Sequence, residues 1–313
     1  MSDAAGADDA VMPSHRARID RCLAIEGMTS AGGLALMDLF VGQSVARHAE
    51  GAFVEFGAYK GRASALFAHH AAAERPLLAV EQSDYLQLER LQAISPHVSW
   101  HKGKSEAFCP HLLPQWVAGR GVIATHHDAS HFFDNLATEL EHVAPLMHRN
   151  GVIVLGDFAD TYSQVRAAYY HQRYARRLPF ELLLVGFNKG VLVHEAAFDR
   201  FERFVLNDLL WELKKYRVDA TLVRTDIHAH TRAFFVRPKG SPAEDDRYGR
   251  HIWGERFYAP SNEHLNRSRP VAPALPEGDR PGAPADEAAT LAVGSVPRVD
   301  QDAPAVTPGT LEA

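Results

Sequence analysis

Three short stretches of the chain carry residue types and spacings that could do chemistry. The first, over 52–67, reads AFVEFGAYKGRASALF. Residues 53–56 form an apolar run broken only by Glu55, as expected of a central parallel strand with one polar group near its carboxyl end. Gly57 and Gly61 follow, and glycine there lets the backbone turn tightly and lets a ligand approach closely. A helix opening near Arg62 would aim free N–H groups at that ligand. The Glu55 carboxylate argues against a phosphate: negative charge at the strand end suits an amine, a hydroxyl or a cation, and the glycine spacing departs from G-x-G-x-x-G. The second stretch is Asp128-Ala129-Ser130-His131, and the third ends an apolar run at Asp157. Adjacent parallel strands lie about 4.8 Å apart, so acids ending two of them share one rim. Two carboxylates there could hold Mg²⁺, with substrate oxygens and water completing an octahedron. The same Asp128 to His131 segment is also readable as a helix N-terminal cap with a satisfied histidine.

These residues need strands and helices to place them. Apolar runs at 76–80, 98–101, 122–127 and 152–155 predict four further strands, each followed by polar residues or a glycine turn. Between them lie helical patterns, clearest where Phe133, Leu136, Leu140 and Val143 recur at steps of three and four. An earlier helix shows Leu34, Met37, Phe40, Val41 and Val45 on one stripe, with Asp38 and Gln43 off it. Five strand-helix alternations predict a parallel sheet covered on both faces, with ligands lying across the strand carboxyl ends. A helix over 162–177 follows, rich in tyrosine and arginine. Runs at 180–185 and 190–194 are then separated by only Gly186-Phe187-Asn188-Lys189, too short for a parallel crossover, so they predict an antiparallel hairpin. A long amphipathic helix over 198–216 and a small hairpin at 220–223 and 233–236 complete the pattern.

Composition narrows the function classes. The sequence has 33 Lys plus Arg against 39 Asp plus Glu and a formal charge of -6, without a basic run that could track a phosphate backbone, so nucleic acid is not an expected partner. Cys22 and Cys109 form no C-x-x-C pair and imply neither a disulfide framework nor a zinc knuckle. The first residues lack a secretory pattern and no apolar run approaches the roughly 20 residues of a membrane helix, so the expectation is a cytoplasmic protein with no membrane partner. Residues 1–15 read as a disordered N-terminus, 16–237 as the folded domain, and 238–313 as an extended, mostly disordered tail rich in Pro and Ala.

Taken together, Glu55-x-Gly57-x-x-x-Gly61, Glu81 after the second strand, Gly103-x-Ser105 after the third, Asp128-x-x-His131 after the fourth and Gly151 before the strand ending in Asp157 resemble a class I S-adenosylmethionine-dependent methyltransferase. More narrowly, the chain is similar to the branch with macrolide sugar O-methyltransferases and a cephalosporin-biosynthesis protein. The resemblance implies a Rossmann-like three-layer α/β sandwich, its mostly parallel seven-stranded sheet ending in an antiparallel hairpin. It also implies S-adenosylmethionine as cofactor, with Glu55, Gly57, Lys60, Gly61, Glu81, Ser105 and Asp128 around it, Glu81 accepting both ribose hydroxyls and Ser105 beside the adenine. His131 would be the general base, assisted by Asp128, for methyl transfer to a hydroxyl of a small-molecule substrate. Mg²⁺ at Asp128 and Asp157 would lower the hydroxyl pKa. One departure stands out: metal-dependent relatives place a second ligand beside the strand-five acid, whereas Gly156 and Phe158 flank Asp157, leaving Asp160 as a substitute from the loop. A non-catalytic binding protein or an oxidoreductase on the same fold is the alternative, and a homo-oligomer stays open. Other histidines suggest less. His126-His127 alternates faces on a strand, so at most one can face the pocket; His69-His70 lies away from the strand ends; and His228 and His230 with Asp226 read as a polar loop.

Overall fold

Every side chain of the strand Ala52–Phe56 is buried, which a sheet edge could not provide, so this run belongs at the centre of a sheet covered on both faces. A computed structural model describes residues 14–160, 162–224 and 233–239. The chain divides into two units, 1–269 and 270–313, and the second falls wholly outside the described residues. So do the expected N-terminal segment up to residue 13, the tail from 240, and Asp226, His228 and His230.

The five parallel strands are β1 (Ala52–Phe56), β2 (Leu77–Glu81), β3 (Val98–Lys102), β4 (Val122–His127) and β5 (Met147–Leu155). They are followed by the hairpin β6 (Phe180–Gly186) and β7 (Lys189–His194), then by β8 (Ala220–Arg224) and β9 (Phe234–Pro238). The sheet order is β3-β2-β1-β4-β5-β7-β6-β9-β8, with β7 antiparallel to both β5 and β6. The expectation of seven strands is thus corrected to nine. β9 pairs in parallel with the otherwise open edge of β6, and β8 covers β9, so the small hairpin extends the sheet and caps its unpaired N–H and C=O groups.

One face carries α1 (His15–Leu23), α2 (Ala31–Val45), α3 (Arg62–Ala68), α4 (Leu88–Gln92), α9 (Phe198–Asn207) and α10 (Leu209–Lys215). The other carries α5 (Ser105–Phe108), α6 (Leu112–Val117), α7 (Phe133–Val143) and α8 (Val165–Tyr174). The expected helix over 198–216 is split where Asp208 leaves helical geometry between α9 and α10, and Pro110, which has no N–H to donate, separates α5 from α6. Among the described residues no helix is long and apolar enough to cross a membrane.

Asp38 is a departure from helical patterning. It lies off the apolar stripe of α2 yet is 2% exposed, because its neighbours are not lipophilic. Arg18 of α1 donates to its Oδ2 at 2.7 Å, the Tyr216 hydroxyl donates to the same oxygen at 2.7 Å, and His70 Nε2 meets Oδ1 at 2.6 Å. Burial raises the Asp38 pKa, but the bond to His70 and the charges of His70 and Arg18 outweigh it and bring it down to about 2. This cluster ties α1, α2, α3 and the end of α10 together. Removing the acid leaves Arg18 buried without its ion partner, so Asp38→Ala should cost about 3–5 kcal/mol of folding stability, measured by urea unfolding. A loss under 1 kcal/mol would show that the cluster is solvated. Because the folded-state pKa is depressed, this contribution is present above the unfolded value of about 3.9 and is lost as pH falls toward 2.

Candidate functional site

The carboxyl ends of β1, β2, β4 and β5 open on a cleft of about 680 Å³, a size that suits a drug-sized organic molecule. The turn after β1 forms its floor. Gly57 has φ +80°, and a Cβ built there would lie 2.4 Å from the Asp128 carbonyl oxygen and the Ala129 Cα, so glycine is what lets the β1 and β4 turns touch. The loop between α1 and α2 supplies one wall with Gly27, Met28, Thr29 and Ser30. Arg62 pins that loop, its side chain donating to the carbonyls of Ile25 at 2.7 Å and Thr29 at 3.2 Å.

Glu81 lines the cleft at the end of β2, already engaged by protein donors. Its Oε2 accepts from the Tyr59 N–H at 2.7 Å, and its Oε1 from the Ser83 N–H and hydroxyl at 2.8 and 2.7 Å. Each carboxylate oxygen accepts about two hydrogen bonds, so a diol could take the free position on Oε2 and displace the rotatable Ser83 hydroxyl from Oε1. Ser105 also lines the cleft, but its hydroxyl donates to Glu139. Two of the expected contacts lie elsewhere. Lys60 is outside the lining: its ammonium sits 2.5 Å from Glu26 and over the Tyr59 ring. Gly61, at φ +97°, starts α3 and faces Leu86 and Leu91 rather than the cleft.

A continuous chain of polar contacts runs from beneath the sheet to the rim. The Ser64 hydroxyl donates to Glu55, whose Oε1 lies 2.8 Å from His126 Nδ1. His126 Nε2 meets the Lys189 ammonium at 3.1 Å, and Lys189 donates to Asp128 Oδ2 at 3.0 Å. Asp128 Oδ1 lies 3.3 Å from His131 Nε2, and His131 Nδ1 lies 3.0 Å from Asp157 Oδ2. Asn188 closes the chain by donating to Asp157 Oδ1 at 2.8 Å. Strand geometry explains the path: Glu55 pairs with His126 in register on one face, while His127, pointing the other way, meets Glu139 at 2.8 Å. Neither histidine of the pair lines the large cleft, although each is buried against a carboxylate.

Charge in this chain is balanced by contact. Burial alone would raise the Asp128 pKa, and the ammonium of Lys189 and the His126 ring hold it instead well below the usual carboxylate range. The hydrogen bond that the protonated ring donates to Asp128 raises the His131 pKa against its burial, with help from the charge of Asp157. Burial pushes the Asp157 carboxyl up, opposed by His131. His131 and Asp157 both adopt left-handed backbone, φ +56° and +48°, a strained conformation of the kind that gathers at functional sites.

The sequence-expected trio Asp128, His131 and Asp157 is therefore brought together, with one ligand atom from each within 4.8 Å of the others. Asp160 lines the same cleft but its carboxylate accepts from the Tyr162 N–H, and it does not join the group. Mg²⁺ asks for a largely oxygen shell with unspent negative charge. The trio fits it poorly: Lys189 holds one oxygen of Asp128, the imidazole faces both acids, and a Cβ at position 156 would fall 1.7 Å from Asp128 Oδ1, leaving no room for a side-chain ligand beside Asp157.

Lys189 and Asn188 escape local sequence patterns, which mark their segment only as a hairpin turn. The usable signal is topological: β7 runs antiparallel to β5, so its first residues lie beside the last residues of β5, Leu155 opposite Gly190. Phe187 and Asn188, at φ +51° and +64°, form the tight turn that delivers them.

Residues 54–158, which run from within β1 past the end of β5 and include Asp128, His131 and Asp157, match the family model described as a methyltransferase domain. No curated protein matches the sequence. Among solved structures the chain is similar to a TDP-rhamnose 3'-O-methyltransferase of calicheamicin biosynthesis, at 15% identity and a TM-score of 0.42 over 51% of this chain and 77% of that one. It is similar to an O-methyltransferase from Bacillus cereus in complex with S-adenosylhomocysteine, at 16% and 0.41 over 59% and 94%. A mycinamycin-pathway methyltransferase in complex with Mg, S-adenosylhomocysteine and mycinamycin VI aligns at 12% and 0.43, over 59% and 55%.

Proposed function

We propose that the protein, whose residues 54–158 match the family model of a methyltransferase domain, transfers a methyl group from S-adenosylmethionine to a hydroxyl oxygen of a small-molecule acceptor, with His131 as general base. The observation that carries this reading is the His131 imidazole held between two strand-end carboxylates at the mouth of a cleft with a glycine floor. When bound, S-adenosylmethionine supplies an electrophilic methyl group on a positively charged sulfur. The Gly57 turn lines the cleft where its amino-acid end would lie, and Glu81 would offer acceptors to the ribose.

His131 and its partners govern the proton. The contact to Asp157 at 3.0 Å is shorter than that to Asp128 at 3.3 Å, so the neutral ring keeps Nδ1–H on Asp157 and leaves Nε2 unprotonated for the acceptor; Nε2 donates to Asp128 only in the imidazolium. His131 Nε2 would take the proton of the acceptor hydroxyl as that oxygen gains the methyl group the bound cofactor would supply. Asp157 then steadies the imidazolium. Asn188, bonded to the other oxygen of Asp157, fixes that carboxylate's orientation.

Titration calorimetry with S-adenosylhomocysteine, followed by a panel of hydroxylated and aminated acceptors with S-adenosylmethionine, tests this. Micromolar binding and transfer to a hydroxyl are expected. Binding without transfer to any acceptor would favour a non-catalytic binding protein, and no binding would overturn the reading. In the same assay Glu81→Ala should weaken S-adenosylhomocysteine by about 10- to 100-fold, the loss of one charge-assisted hydrogen bond. Since Glu81 also anchors Tyr59 and Ser83, Ser83→Ala serves as the control for loop order. Unchanged affinity in Glu81→Ala would mean the ribose lies elsewhere.

A further inference from the structure

We propose that the Lys189 ammonium stands in for a divalent cation at this site, so that methyl transfer proceeds without Mg²⁺. The inference rests on the methyltransferase reading above. Lys189 is 4% exposed, on the first residue of β7, and its only described polar partners are Asp128 Oδ2 at 3.0 Å and His126 Nε2 at 3.1 Å. An ammonium so deeply buried is tolerated only where opposite charge meets it. It lines the cleft and occupies Oδ2 of Asp128, one of the two oxygens that carboxylate could offer a dication.

Three consequences follow from placing a fixed positive charge there. A dication entering between Asp128 and Asp157 meets like charge a few ångströms away, which raises the cost of binding. The carboxylate of Asp128 is held in one orientation by the bond from Lys189 to Oδ2, with Oδ1 left facing His131 Nε2 at 3.3 Å, which is the positioning a metal would otherwise give. The ammonium also offsets the charge of Asp128, so the rim opposes less strongly the more anionic oxygen that forms as the proton leaves for His131. Lys189 acts through Asp128 and is thus a positioning residue. Glu55 stands behind it: by accepting from His126 Nδ1–H it leaves Nε2 free to accept from the ammonium. The Asp128 carboxylate fills the space above Gly156, so no acidic side chain from that position can restore a metal shell.

The test uses the full chain and Mn²⁺ as probe, read by electron paramagnetic resonance, alongside methyl transfer in EDTA. The wild type should show no specific Mn²⁺ binding at micromolar concentrations, and turnover on any acceptor found in the panel should be unchanged by EDTA. Lys189→Met should gain Mn²⁺ affinity on the order of tenfold or more, since ligand charge sets affinity at such sites. Its kcat should fall with little change in the affinity for S-adenosylhomocysteine, and Mg²⁺ should recover part of that kcat. Lys189→Arg, which keeps the charge, should stay blind to Mn²⁺. Wild-type binding of Mn²⁺ that disappears in Asp128→Asn, or turnover abolished by EDTA and restored by Mg²⁺, would overturn the proposal. Both wild-type measurements decide the matter even where Lys189→Met fails to fold. Calorimetry with S-adenosylhomocysteine on the same samples separates the two readings: its failure removes the methyltransferase proposal, whereas its success with a tight Mn²⁺ site removes only this one.

Discussion

His131→Ala should lower kcat/KM for the hydroxyl acceptor by roughly 10²- to 10⁴-fold, the usual contribution of a positioned general base, while S-adenosylhomocysteine affinity stays within about twofold of wild type. The separation follows from geometry: His131 touches Asp128 and Asp157 on the β4 and β5 rim, away from Glu81 on β2. The pH dependence gives an independent reading. His131 must be neutral to accept a proton, and the Asp128 hydrogen bond raises its pKa above the ordinary value of about 6.5. Activity governed by this group is therefore lost below the raised pKa and appears as pH climbs through it. In EDTA, the acid limb of kcat/KM should lie above neutral His titration, and Asp157→Asn, which removes one of the raising charges, should move it down. Full activity in His131→Ala would assign the ring to capping the β4 turn and place the base elsewhere.

The second large effect belongs to the floor of the cleft. Gly57→Ala forces a Cβ to within 2.4 Å of the β4 turn backbone at a residue with φ +80°. Left-handed strain of about 1–2 kcal/mol and overpacking of about 1–3 kcal/mol together predict a loss of about 2–5 kcal/mol in stability. The clash is against backbone, which cannot rotate away, so relief must come from moving Asp128 and Ala129. Even folded Gly57→Ala protein should then lose both cofactor affinity and turnover, unlike His131→Ala, which loses turnover alone. Thermal unfolding and calorimetry on the purified variant check this; wild-type behaviour in both would mean that the β1 and β4 turns do not touch.

Residues that end strands were legible in the sequence because local pattern and position coincide there. An apolar run that stops at Glu81, Asp128 or Asp157 states both where a strand ends and what chemistry its end offers. Glu55 was legible as a strand-end acid, although its partners were not: the bond to His126 spans 71 positions, and nothing local announces it. Asp38 misled because helical periodicity assigns a charge to solvent by default, and only the arrival of Arg18, His70 and Tyr216 from three other helices or their ends makes burial tolerable. Lys189 was hidden by its place in a polar turn, whose role depends on which strand the hairpin joins. The two extra strands were seen as a hairpin but not as part of the sheet, since β9 finds β6 across nearly 50 residues of intervening chain.

The hairpin also dates the site within the life of each molecule. All five parallel strands have been synthesised once the chain passes residue 155, yet the ammonium on Asp128 and the amide on Asp157 arrive only with Asn188 and Lys189. During synthesis a nascent chain can therefore assemble its sheet with two acids still uncompensated, and the rim acquires its final electrostatics when β7 inserts beside β5. A fragment ended at residue 158 would keep both acids without those two partners.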